Sequence, residues 1–440
     1  MTPPNFLLPT LVRGASIALI TQTLSVGITY ISQILFARWM GAAEFGVFEY
    51  VATISLVLGF VGGLGLSSVA LRFISAYSVQ QDWGRLRGVI LGSWWQTAVS
   101  SVGLALLGTN FLGWRNTQAP IHNLTSLLLG LWAVPLVALM KLQLEMGRAM
   151  QRIGLAYAPS LVVYPFMLLV GTVIWVLLNQ HLTSSAVLGI SLWTMFWVLA
   201  AQLLLLWRCL TPEVHKAKPV YAIRQWLQMA LPLLFIDGSF MVLNQTDTLM
   251  LGALLNPAAV GIYSAAFKTA GWVNFILSSV NAIAAPLFAT LYAEGKRAEL
   301  QQLVSSLARW IFYPALAIAI GIILLAEPIL ELFGPEFPAA KGAMIALIIG
   351  QLVNVGAGSV GYLLNMTGHH NQCAFVVGCS ALLNLGLNWI GIPWFGILGA
   401  AIATAISMAL WNVWLNRLVV KYLNIDPSIV AALRSKDLRL

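Results

Sequence analysis

The sequence predicts an all-α integral membrane protein with about twelve transmembrane helices in two six-helix lobes. Composition, the repetition of long apolar runs and the placement of basic residues predict it. Of 440 residues, 60% are hydrophobic and 8% are charged, whereas soluble domains carry about 25% charged residues. That balance excludes a soluble enzyme, a disordered chain, a coiled coil and a disulfide-stapled secreted domain.

A span needs about 20 mostly apolar residues to cross roughly 30 Å of hydrocarbon. Twelve stretches qualify, near 14–37, 45–71, 88–112, 121–140, 158–178, 184–207, 226–252, 261–292, 308–326, 342–366, 373–391 and 396–416. They are continuous apolar runs rather than short alternating ones, which selects helices over a β-barrel. Met1 to Val12 hold three prolines and no basic residue. Without the charged start of a cleaved signal, the first apolar stretch is expected to remain as a span. Connections are short. The longest polar one, 208–225, separates an N-lobe at 1–207 from a C-lobe at 226–440 that ends in a short cytoplasmic tail.

An even number of spans puts both termini on one side. Nineteen Lys and Arg fall on that side. Arg38, Arg115 and Lys341 fall on the other, and Lys268 lies within a span. The excess marks the side of the termini as cytoplasmic. No basic run with interleaved aromatics suggests nucleic acid. Cys209, Cys373 and Cys379 have no metal-ligand or disulfide-framework spacing. His369 and His370 fall in a cytoplasmic turn, where a solvated role is expected rather than ligation. Many of the 17 tryptophans, among them Trp83, Trp114, Trp207, Trp226 and Trp394, sit near span ends, as an interfacial belt requires.

The halves look related. Shifted by 215 residues, Ala43-Glu44-Phe45-Gly46-Val47-Phe48 falls on Ala258-Ala259-Val260-Gly261-Ile262-Tyr263. Both segments lead from a short outer turn into an even-numbered span. Repeats of this kind build transporters.

Charges inside spans are costly, at about 2.5–3.5 kcal/mol each on insertion scales, so they are functional candidates. Span seven carries Asp237 and Asp247, span eight Lys268, and span two Glu49 near its outer end. Asp247 and Lys268 sit at similar depth on consecutive helices. Either they pair and lock the two spans, or Lys268 faces a cavity and binds an anionic group. Asp237 lies near mid-depth, after the helix-kinking Pro232. Its carboxyl either carries a proton or ion through a cycle or bonds a neighbouring helix. Glu49 and Asn281 are further candidates for a substrate cavity. Gln22, Gln33, Asn244, Gln245, Asn274, Gln351, Asn354, Asn365, Asn384 and Asn388 also lie within spans, where such side chains mostly join helices. No Ser/His/Asp set or phosphate loop is evident. The largest outer loop, near Glu327 to Lys341, has no His and no paired nucleophile and base. An enzyme is not expected, and no cofactor is implied beyond a coupling H⁺ or Na⁺.

Several segments carry a family resemblance. Phe36-Ala37-Arg38-Trp39-Met40-Gly41 with Glu44-Phe45-Gly46 and Gly63-Leu64-Gly65-Leu66 is similar to the first two spans of polysaccharide-export flippases. So are Asp247-Thr248-Leu249-Met250-Leu251-Gly252 with Val260-Gly261-Ile262-Tyr263, and the tail from Leu383-Asn384 through Asn388 to Phe395-Gly396-Ile397-Leu398-Gly399. The chain resembles the Wzx-like flippases of the multidrug/oligosaccharidyl-lipid/polysaccharide (MOP) exporter superfamily. The resemblance implies a MATE-like fold with a cavity lined by spans one, two, seven and eight. It implies alternating access that turns a polyprenyl-diphosphate-linked glycan from the inner to the outer leaflet of the cytoplasmic membrane. Surface polysaccharide such as O-antigen is the implied product, and a polysaccharide polymerase or ligase is an implied partner beside membrane lipids. Related lipid II flippases place basic residues in spans one, two and eight. Here spans one and two have no Lys or Arg near mid-depth, so Lys268 is the one basic candidate. A Na⁺- or H⁺-coupled drug or metabolite antiporter of the same fold remains the alternative.

Overall fold

The computed structural model describes the backbone of residues 7–179 and 181–434, and the side chains of residues 20–434 with the exception of 179, 180 and 282. The opening residues 1–6, Lys436 and Arg439 lie outside the described residues, as does the side chain of Arg13. Among the described residues the chain is helical throughout its ordered elements. Two compact units divide it. One holds residues 1–40 and 47–238, the other 41–46 and 239–440. The division falls within a helix at Gly238–Ser239, not in the 208–225 connection.

The first unit contains most of α1 (Leu7–Gly62), then α2 (Leu66–Gln80), α3 (Trp83–Gln118), α4 (Leu124–Ala149), α5 (Ile153–Ala158), a π turn (Pro159–Val163), α6 (Tyr164–Asn179), α7 (Ser184–Arg208), α8 (Pro212–Lys216) and the start of α9 (Ile223–Leu254). Its core gathers Val69, Ile74, Leu86, Val89, Leu142 and the fully buried Trp226. The 208–225 connection is strapped to the start of α3. Val220 donates its N–H to Gly84 O at 3.0 Å, and the Arg87 guanidinium donates to Ala217 O at 2.8 Å. Gly88 is required at this crossing, because an added Cβ would lie 1.9 Å from Val220 O.

The second unit contains the end of α9, then α10 (Pro257–Ala293), α11 (Arg297–Leu324), α12 (Ala326–Glu331), a 3₁₀ turn (Phe337–Ala340), α13 (Lys341–Ala357), α14 (Val360–Met366), α15 (His370–Leu423) and α16 (Ile429–Arg434). Phe288, Leu300, Val304, Leu363, Val376 and Val419 form its core.

Nine helices among the described residues are long and apolar enough to cross a membrane, and ten if the bent α10 is one span. Two of these are too long for a single crossing. At 1.5 Å per residue, the 54 residues of α15 would extend about 80 Å. Each is broken by one glycine outside helical geometry, Gly41 (φ 76°, ψ 170°) in α1 and Gly396 (φ 57°, ψ −136°) in α15. The contacts show that the chain doubles back at both. The Phe36 and Phe48 rings, twelve residues apart, lie 6.0 Å from each other. Gly391 and Gly399 touch backbone to backbone, with room for no Cβ on Gly399: it would lie 2.0 Å from Gly391 O. With each broken helix taken as two segments, the count among the described residues comes to twelve, consistent with the expected number of spans.

The outer turn 41–46 belongs to the second unit, and its packing reveals the internal repeat. A Cβ on Gly46 would lie 1.7 Å from Pro257 O, and one on Gly261 would lie 2.3 Å from Ala42 O. Gly46 and Gly261 are 215 residues apart, as are Ala42 and Pro257, so the two turns touch reciprocally. The large outer loop closes on the same turn. Glu336 Oε2 accepts from Ala42 N–H at 2.9 Å, and the Phe45 and Phe337 ring centroids are 6.1 Å apart.

Overpacking a tight helix crossing costs about 1–3 kcal/mol. Gly399→Ala is therefore expected to lower the melting temperature of the detergent-solubilised protein by several degrees. Gly103→Ala, where nothing lies within 4 Å, is expected to leave it unchanged. Equal melting of the two variants would contradict the hairpin packing.

Candidate functional site

The α15 hairpin builds a buried polar site in the second unit. Asn384 and Asn388 are four residues apart on its first arm and share a helical face. Gly399, Ala400, Ala401 and Ala403 are buried on its second arm. These small residues let the arms approach closely, so that Thr404 meets the asparagines. Asn384 Nδ2 donates to Thr404 Oγ1 at 3.3 Å, and Asn388 Nδ2 lies 3.1 Å from Asn384 Oδ1.

Asp247, near the end of α9, enters this cluster. Asn388 Nδ2 donates to its Oδ1 at 2.8 Å, and Thr404 Oγ1 to its Oδ2 at 2.5 Å. The Tyr263 hydroxyl, from α10, donates to Oδ2 through a short hydrogen bond. All five residues are buried, with Asn384 and Asn388 wholly inaccessible. One carboxylate thus ties α9, α10 and both arms of α15. A hydrogen bond to a charged group contributes about 1.5–3 kcal/mol, whereas an isolated buried carboxylate is prohibitively costly. Three donors offset much of that cost. Asn388 Oδ1 is buried and has no donor, so the cluster holds one unused oxygen beside the carboxylate.

Of the two readings of Asp247 and Lys268, the ion pair is not among the contacts of the described residues; the Asp247 carboxylate accepts from Tyr263, Thr404 and Asn388. Lys268 is half-buried, with its Nζ 5.9 Å from the Phe45 ring centroid, within the range of a cation–π contact. Asp237 is exposed and accepts from Ser68 Oγ at 3.1 Å. That is the bond to a neighbouring helix, one of the two expectations for this carboxyl; Asp247 is the enclosed carboxylate. Glu49 is buried in the first unit. Asn281 is buried in the second and accepts from Ser359 Oγ at 2.5 Å. Sequence reasoning missed Tyr263 and Thr404 and assigned Asn384 and Asn388 to helix joining. Their four-residue spacing within an apolar span was the available signal. His369 stacks on Tyr422 at 4.8 Å and pairs with Thr367. No three His, Cys, Asp or Glu side chains gather among the described residues.

Comparison with known proteins places this arrangement. The model of the polysaccharide biosynthesis protein family matches residues 11–292, and the MatE model matches residues 232–390. The chain is similar to the probable flippase AglR of Haloferax volcanii, 26% identical over 191 residues, 42% of this chain and 40% of that protein. It is also similar to the probable low-salt glycan biosynthesis flippase Agl15 of the same organism, 32% identical over 37% of this chain and 35% of that protein. The matched stretches therefore span well under half the length of these two relatives. In fold, the chain is similar to an inward-facing multidrug resistance MATE family transporter of the MOP superfamily. That likeness has a TM-score of 0.73 at 13% identity and covers 96% of this chain and 99% of that one.

Removing single donors tests the carboxylate cluster. Thr404→Val and Asn388→Leu are each expected to cost about 1.5–3 kcal/mol. Their combination is expected to cost less than the two summed, because both serve one carboxylate. Thermal unfolding of the single and double variants measures this, and strict additivity would contradict a shared network.

Proposed function

The chain belongs to the polysaccharide biosynthesis protein family, and on that premise we propose that it is a lipid-linked oligosaccharide flippase. It moves a polyprenyl-diphosphate-linked glycan from the inner to the outer leaflet of the cytoplasmic membrane by alternating access, and its termini face the cytoplasm. The observation that carries this proposal is the extent of the family match, which runs from the first span through the eighth. The MatE match is confined to the second half of the chain. The names of the archaeal relatives support the same substrate class.

Two residues receive roles in this proposal. Lys268 is a half-buried basic side chain within an apolar helix, so it is assigned to the anionic diphosphate. Asp247 is assigned to coupling. Its carboxylate is enclosed in a membrane-embedded bundle, where its charge must be neutralised by a proton or a small cation. The carboxylate oxygens, Thr404 Oγ1 and the unused Asn388 Oδ1 supply the hard oxygen donors that Na⁺ or H⁺ requires. Glu49 and Asn281 remain proposed polar contacts for the substrate, and a polymerase or ligase remains a proposed partner. The transport step needs no covalent chemistry from the chain.

A Na⁺- or H⁺-coupled drug or metabolite antiporter is the second function, favoured by the position of Asp247 inside the MatE match. A deletion strain separates the two. Accumulated polyprenyl-linked oligosaccharide with lost surface polymer is expected. Normal glycan with new sensitivity to cationic drugs would establish the antiporter instead. In the complemented strain, Lys268→Ala is expected to reduce surface polymer at least tenfold at unchanged protein level; a matching fall in protein level would assign Lys268 to folding. Asp247→Asn, if it folds to wild-type level, is expected to abolish the dependence of transport on the Na⁺ or pH gradient. A retained dependence would remove Asp247 from coupling.

A further inference from the structure

Two helix breaks in the second unit converge on one cavity. The first lies in α10, which bends by 45° between residues 281 and 283, just ahead of Pro286. The second separates α13 from α14 at Gly358 and Ser359. Gly358 has φ 78°, and a Cβ there would lie 2.3 Å from Pro427 O. Interrupted backbone within a membrane span is tolerated only where it is buried in protein or lines a hydrated cavity. Here Asn281, Gly358 and Ser359 all line a cavity of about 460 Å³, within the size range of small-molecule sites.

The cavity wall is polar but uncharged. Asn412 Nδ2 donates to Asn354 Oδ1 at 2.9 Å, and Asn354 Nδ2 donates to Asn274 Oδ1 at 2.9 Å. This amide relay ends in the cavity. The Nδ2 groups of Asn274 and Asn281 donate to no group among the described residues, and Asn365 adds a third amide with unused capacity. Each amide offers both donors and acceptors, which a sugar hydroxyl matches in either sense. Trp411 and Tyr362 contribute aromatic surface to the same wall, and apolar area with a few placed polar groups is what orients a small ligand. Among the described residues, no Asp, Glu, Lys or Arg lines the cavity. A carboxylate placed there would be desolvated without a cationic partner.

Lys268 does not share this wall. Asn274 and Asn281 are seven residues apart and fall on one face of α10, whereas Lys268, six residues before Asn274, falls about 120° away at 100° per residue.

We propose that this amide-lined cavity is a subsite for uncharged sugar units of the glycan and that it rejects acidic sugars. The proposal rests on the flippase function, and it confines the anionic recognition of the substrate to other residues.

The test uses the full-length protein in nanodiscs and follows tryptophan fluorescence during titration with N,N′-diacetylchitobiose, lactose and glucuronic acid. At least one of the two neutral disaccharides is expected to give a saturable change, and glucuronic acid none. Trp411→Phe is expected to remove most of the signal change. Asn354→Leu is expected to weaken binding at least tenfold. If that variant fails to fold, Asn365→Leu, at an exposed position with no hydrogen-bond partner, is expected to weaken binding at least threefold. Equal binding of glucuronic acid, no response to either neutral disaccharide, or unchanged affinity in the folded variants would overturn the subsite. Loss of the subsite together with accumulated lipid-linked glycan in the deletion strain would leave the flippase function standing. Sugar binding without such accumulation would remove the flippase function and retain the neutral-sugar site.

Discussion

The second unit is organised around one buried carboxylate. Asp247 draws donors from α10 and from both arms of α15, and few other arrangements could hold a charge so far from water. Its three hydrogen bonds tie α9, α10 and α15, whose remaining packing is largely apolar apart from the amide relay through α13. In a membrane, that packing carries little directional information, because lipid tails are as apolar as leucine. The polar cluster therefore fixes the register of the second unit. Four helical segments, α9, α10 and both arms of α15, thus meet at one group, which is the basis of the coupling role proposed for Asp247.

Small residues make that cluster possible. Gly391 and Gly399 let the α15 arms touch, which brings Thr404 to Asn384 and Asn388. The reciprocal approach of Gly46 and Gly261 does the same for the two outer turns, at backbone distances that exclude any side chain. The repeat that is faint in sequence is clear in these contacts, since each glycine meets the carbonyl of the residue four positions before its counterpart. The outer loop around Glu336 and Phe337 then closes on one of these turns, which gives that loop a structural role.

Much of the fold was legible in the sequence. Continuous apolar runs mark the spans, because the bilayer imposes their length. Gly41 and Gly396, where the chain doubles back, were less visible, since a glycine in an apolar run is ambiguous until its dihedral angles are known. The site was legible only in part. Asp247 and Asn281 stood out because polar groups are expensive in lipid, yet their partners did not. Proximity in depth suggested Lys268 for Asp247, but helix rotation decides partners, and hairpin packing delivered Asn388 and Thr404 instead. For Asp237 the sequence left two readings, and the bond to a neighbouring helix is the one visible, through Ser68 on α2. The amide relay of Asn274, Asn354 and Asn412 joins three spans distant in sequence and became visible only in three dimensions.

The central claim is that this chain moves a lipid-linked glycan between leaflets. Proteoliposomes containing the purified protein and a polyprenyl-diphosphate-linked disaccharide, labelled in its sugar, test it directly. The lipid begins in both leaflets, and a membrane-impermeant glycosidase is added outside. Cleavage of nearly all the label, against about half in protein-free vesicles, is the predicted result. Cleavage that stops at half in active, correctly folded proteoliposomes, with and without Na⁺ and pH gradients, would contradict the account.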